Sequence, residues 1–176
     1  MKAIHLAFAF LLAIAGITIF ILMSDPPPGA VGIAHETIPG MKLGGDGAAR
    51  LATIGLAPFY FQIAVIAFAG TLLYMGVAEG RRDTTLRLTL AAFTGIAMFV
   101  WYMLYSGYEA YLETGQTDVV FGFPVPANWM FWGIWGSFVV FDLFYVFAFR
   151  RYFLPAEDEA AFHALVEELK AEEGAK

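Results

Sequence analysis

Four apolar stretches, each about as long as a bilayer core is thick, decide what this chain is able to become. Residues 4–23, 58–78, 88–105 and 128–149 run almost without charge. About 20 apolar residues in a helix cross the ~30 Å hydrocarbon core of a bilayer. In lipid every backbone N–H and C=O must be satisfied within the structure, and a helix does this inside one segment. The sequence therefore predicts an all-α integral membrane protein, with four transmembrane helices arranged as two antiparallel hairpins. Composition agrees, because only 15% of residues are charged and 60% are hydrophobic, and the lipid bilayer becomes a necessary partner.

Composition also excludes chemistry. There is no cysteine, so disulfide frameworks and thiolate metal sites are ruled out. The formal net charge is −6 and no basic face is present, which sets nucleic acid aside as a partner. His5, His35 and His163 fall at a span edge, a loop and a tail, too far apart in the chain to clasp a haem across a bundle. No nucleophile–base pair, Gly-rich phosphate loop or metal-ligand spacing appears, so the reading is of a protein that is not an enzyme and holds no cofactor.

Taken in order, residues 4–23 follow Met1 and Lys2 and carry the outline of a signal peptide, a charged start and an apolar core. The run is longer than a usual signal core and SDPPPGAVG is a poor cleavage site, which favours a retained helix. Residues 24–57 form a Pro/Gly-rich loop whose His35, Glu36 and Asp46 are scattered, as expected of a solvated loop rather than a metal site. In the second span Ala64, Ala67 and Gly70 offer a small surface to a neighbour, and Gln62 stands one turn inside. A polar link with Arg81, Arg82 and Arg87 leads to the third span, with Asp83, Thr84 and Thr85 as candidate caps and Ala91/Gly95 as a close-packing pair. Residues 106–127 make a second loop with Glu109, Glu113 and Asp118. After the fourth span and Arg150–Arg151, Pro155 opens an acidic tail (155–176). Its Phe162, Leu165, Val166 and Leu169 recur at helical spacing and predict a short amphipathic helix.

Charge placement gives an orientation. Lys2, Arg81, Arg82, Arg87, Arg150 and Arg151 fall on one side of a four-span arrangement, against Lys42 and Arg50 on the other. By the positive-inside rule both termini are expected in the cytoplasm, as in a multi-pass protein of a bacterial inner membrane.

The fourth span carries the one acid well inside an apolar run, Asp142. On a helical wheel Phe131, Trp135, Phe138, Val146 and Phe149 lie within about 40° of it. Gly133, Gly136, Ser137 and Val140 lie on the opposite side, a groove of small residues that permits close approach. A carboxylate at such depth costs ~3 kcal/mol on insertion scales unless paired or protonated. Three readings of Asp142 stand open: a structural hydrogen bond to Tyr60, Gln62, Tyr74, Tyr102 or a partner; an ion- or proton-coupling group; and an acid reached by interfacial water.

A short basic start (Arg81, Arg82, Arg87) leads into an apolar span and then a loop ending in Gly122-Phe123-Pro124 with Trp129 soon after. Gly136-Ser137, Val140-Phe141 and a Tyr145…Arg150-Arg151 exit follow. In these features residues 87–151 resemble the small-subunit families that accompany bacterial sodium:solute symporters. The N-terminal hairpin, Asp142 and the acidic tail are additions to that pattern. The resemblance implies a two-helix hairpin subunit that assembles with a large symporter and carries no catalytic residue. The expected function is therefore a non-catalytic small accessory subunit of a membrane transport complex, its partner a larger integral membrane subunit. Gly122, Phe123, Pro124, Trp129, Gly133, Gly136, Ser137 and Asp142 are the candidate contacts. Two alternatives stand beside it: a structural subunit of a membrane electron-transfer or energy-coupling complex, and the small membrane subunit of a tripartite carboxylate transporter, which the four-span size and Pro/Gly-rich first loop resemble.

Overall fold

The computed structural model describes residues 2–27, 29, 32–44 and 47–174. Its helices are α1 (Ala3–Met23), α2 (Gly47–Ile54), α3 (Ala57–Met75), α4 (Thr84–Thr114), α5 (Val125–Tyr152) and α6 (Ala156–Gly174). Among the described residues α1, α3, α4 and α5 are long and apolar enough to cross a membrane. They pack in a row, α1 on α3, α3 on α4 and α4 on α5, so α4 is the shared wall of the two helices that flank it. In each span's most apolar window no more than 17% of residues are buried by the chain itself. Most of the span surface is thus left to lipid or to another protein.

The packed core sits at the end where the arginines gather. Val77, Leu86, Leu90 and Tyr152 are buried together there, with Tyr74, Phe141 and Phe144 against them. Polar groups at this end are used to stop and tie helices. Arg82 donates to the carbonyls of Val77 (2.8 Å) and Met75 (3.0 Å), satisfying acceptors that the end of α3 leaves free, and its guanidinium lies over the Tyr74 ring. Asp83 is the expected N-cap, its Oδ1 accepting from the Leu86 amide at 2.7 Å. The same carboxylate accepts from Arg151 (2.7 Å) and from the Tyr152 hydroxyl (3.0 Å), so the start of α4 is pinned to the end of α5. Arg81 pairs with Asp158 and donates to the Phe153 carbonyl, and Arg150 pairs with Glu159. These links tie α6 back to the bundle after Pro155. The apolar residues Phe162, Leu165 and Leu169 of α6 remain exposed. The tail positions Ala175 and Lys176 lie outside the described residues.

This clasp has a pH dependence of definite sign. The Leu86 amide, then the Tyr152 hydroxyl and Arg151, hold the Asp83 carboxyl below its ordinary value of 3.8, against partial desolvation. Arg150 likewise holds Glu159 below 4.5. A carboxylate whose folded value is depressed stabilises the fold above its unfolded value, and that contribution is lost as pH falls through the folded one. Melting in detergent is expected to be flat from pH 7 to 5 and to fall at lower pH. Asp83→Asn should lower the melting temperature at pH 7 and shrink the acid-side fall.

At the other end α4 runs well past the expected 88–105, to Thr114. Glu109 and Glu113 depress hydropathy there without interrupting the helix, which stops only at Gly115 in the left-handed conformation (φ +67°). The second loop is therefore short. It holds a hairpin, β1 (Val119–Val120) with β2 (Phe123–Pro124), turning through Phe121 (φ +50°) and Gly122 (φ +82°). Positive φ at both central residues is the two-residue turn that matches strand twist, suited to Gly122 and costly for Phe121. Asn128 holds the hairpin on the first turn of α5, its amide donating to the carbonyls of Val120 (2.7 Å) and Phe123 (2.9 Å). In the first loop His35 Nδ1 accepts from the Thr37 amide at 3.2 Å, closing a local turn, while Asp46 lies outside the described residues.

Candidate functional site

α3 and α5 both pack on α4, and between them they leave a cleft of about 590 Å³. Its walls are Gln62 and Ala69 of α3 with Gly76 just past its end, and Ser137, Phe138, Asp142 and Tyr145 of α5, and its floor is Ala97 and Trp101 of α4. Close helix contacts fix the walls in place. A Cβ added at Gly70 would meet the Thr94 hydroxyl, so α3 lies hard against α4 there. Trp101 Nε1 donates to the Phe59 carbonyl at 3.2 Å and ties the first turn of α3 to α4. On the other wall the Phe93 ring meets Phe141 and Phe144 edge-on, at 5.6 and 6.1 Å between centroids.

Asp142 is the charged group of this cleft, and it is exposed. None of the partners expected for it bonds it. Tyr74 lies beneath Arg82, Tyr60 and Tyr102 are exposed elsewhere, and Gln62 shares the cleft without a hydrogen bond to the carboxylate. Ser137 turns its hydroxyl back to the Ile134 carbonyl at 2.7 Å.

The eight candidate contact residues separate into four places. Gly122, Phe123 and Pro124 form the exposed hairpin at the loop end. Trp129 faces inward, its ring edge-on to Phe99 at 6.2 Å. Gly133 also faces α4, where an added Cβ would stand 2.7 Å from Val100 Cγ1. Gly136 has open space at its Cβ position and lies with Trp132 and Trp135 on the outer surface, while Ser137 and Asp142 line the cleft. The small residues thus do not make one groove opposite Asp142, as the helical wheel predicts. A π-helical turn over Trp129–Ile134, which carries more residues per turn, rotates Gly133 relative to the residues after it, while Gly136 and Ser137 lie in the regular helix beyond, about 100° apart, and so face different surroundings. Ala91 and Gly95 likewise are exposed rather than packed within the chain.

Comparison with family models, with curated proteins and with solved structures yields no match. Among the described residues no group of three or more His, Asp or Glu side chains is placed to hold a metal ion.

Proposed function

We propose that this protein is a small, non-catalytic accessory subunit of a membrane transport complex, assembled on a larger transporter of the sodium:solute symporter type. The observation that carries this reading is the open cleft with Asp142 in it. A chain that functioned alone in lipid would leave this carboxylate facing hydrocarbon, at a cost of ~3 kcal/mol, whereas a neighbouring subunit removes that cost. The largely uncovered spans support the same reading, as does the Gly122-Phe123-Pro124…Trp129 pattern. In the proposed orientation the arginine-rich end and both termini are cytoplasmic, because Arg81, Arg82, Arg87, Arg150 and Arg151 flank the spans on that side. The Phe121–Gly122 hairpin then stands outside.

Deletion of the gene tests this. A large sodium:solute-type transporter of the same membrane is expected to lose most of its abundance or its uptake, and to regain it when the chain is supplied again. Asp142→Asn is expected to weaken assembly while leaving the ion dependence of residual transport unchanged. Full abundance and uptake in the deletion strain would refute the subunit reading.

A further inference from the structure

We propose that the cleft between α3 and α5 receives a transmembrane helix of the partner, and that this helix presents a Lys, Arg, His, Asn or Gln side chain to Asp142. The proposal rests on the accessory-subunit reading and adds to it the place and the chemistry of the contact.

Shape comes first. The α3 wall runs from Gln62 to Gly76, a rise of about 21 Å at 1.5 Å per residue, most of the ~30 Å core. Ala69 and Gly76 fall on it at helical spacing, while Gly70 is already packed against Thr94, and small residues let a helix approach closely where no hydrophobic force drives helices together. A groove of that length between two helices on a third is the seat of a further helix.

Charge identifies what the helix carries. Asp142 lies eight residues before Arg150, about 12 Å along the axis, and so well below the membrane surface. α3 holds no Lys, Arg or His, and neither does α5 before Arg150. The arginines of the nearer end are engaged elsewhere: Arg150 with Glu159, Arg151 with Asp83, Arg81 with Asp158, Arg82 with the carbonyls that end α3, and Arg87 with the Thr84 hydroxyl at 3.0 Å. The counter-group for Asp142 therefore comes from another molecule. A lipid tail has no donor. A second copy seated in the same cleft about a two-fold axis would bring one Asp142 toward the other, adding a like charge instead of a counter-charge.

The test is site-specific photo-crosslinking in cells at native expression, with a benzophenone amino acid placed at Ala69 or Phe138 on the two walls. Phe121 at the hairpin tip and Leu12 on the outer face of α1 serve as comparison sites. Crosslinked peptides are sequenced. Expected is one transmembrane segment of a different protein, joined from both walls and containing one of the five donor residues. Asp142→Leu should lower the yield at both walls roughly three- to tenfold while the isolated chain melts no earlier, since Asp142 forms no bond within it. Products joined only to lipid or to a second copy, a partner segment without such a donor, or an unchanged yield in Asp142→Leu would overturn the proposal. Should Phe121 crosslink a larger membrane protein while Ala69 and Phe138 do not, the cleft assignment falls and the subunit reading stands. If no position joins another polypeptide, both fall.

Discussion

Leu86→Ala is expected to cost about 2–5 kcal/mol of folding stability, the range for emptying a fully buried leucine site. Leu86 has no exposed surface and lies at the centre of the cluster with Val77, Leu90 and Tyr152. Its own amide is also the donor to Asp83, so collapse around the missing side chain is opposed by a capped backbone that cannot shift freely. This is the junction where α3, α4 and α5 meet, and the loss should appear as earlier unfolding of all three in a mixed-micelle denaturation series. Leu88, two residues on, is 67% exposed. Leu88→Ala should change stability by no more than about 0.5 kcal/mol.

The second large effect is expected at Gly133→Leu. A side chain there would enter the space of Val100 Cγ1, 2.7 Å from the new Cβ, and of the Trp129 ring at 3.0 Å. Val100 is buried and β-branched, with little rotamer freedom to yield, so α5 must move away from α4. Overpacking of this kind costs about 1–3 kcal/mol. Gly136→Leu, three residues further, meets nothing within the chain and should leave its melting unchanged. The pair separates fold from assembly: Gly133→Leu should destabilise the isolated chain, and any effect of Gly136→Leu should appear only in the complex.

The sequence makes the membrane spans legible because length and hydropathy alone decide them, and the Asp83 cap is legible because a carboxylate before an apolar run has one common use. The extent of α4 is not, since Glu109 and Glu113 lower hydropathy in a segment whose helix continues to Thr114. Nor is the split between Gly133 and Gly136, because a wheel drawn at constant pitch runs through a π-helical turn that nothing in WMFWGI announces. Asp142 stands out in the sequence as an acid in a span, whereas its setting does not. The cleft needs a second wall from α3, held in register by Gly70 on Thr94 and by Trp101 on the Phe59 carbonyl, and those contacts are between segments far apart in the chain.

Phe121 is 85% exposed and sits at positive φ, where glycine or asparagine would be less strained. An exposed aromatic in a costly conformation next to Gly122-Phe123-Pro124 is what a surface covered in the proposed complex would show.

Native mass spectrometry of the tagged chain, extracted in a mild detergent from membranes that express it at its natural level, distinguishes a subunit from a protein that stands alone. Expected is a mass equal to this 19.3 kDa chain plus a much larger membrane protein in fixed proportion, and partial dissociation of that complex in Asp142→Leu. A chain recovered alone, or only with copies of itself, would contradict the subunit reading.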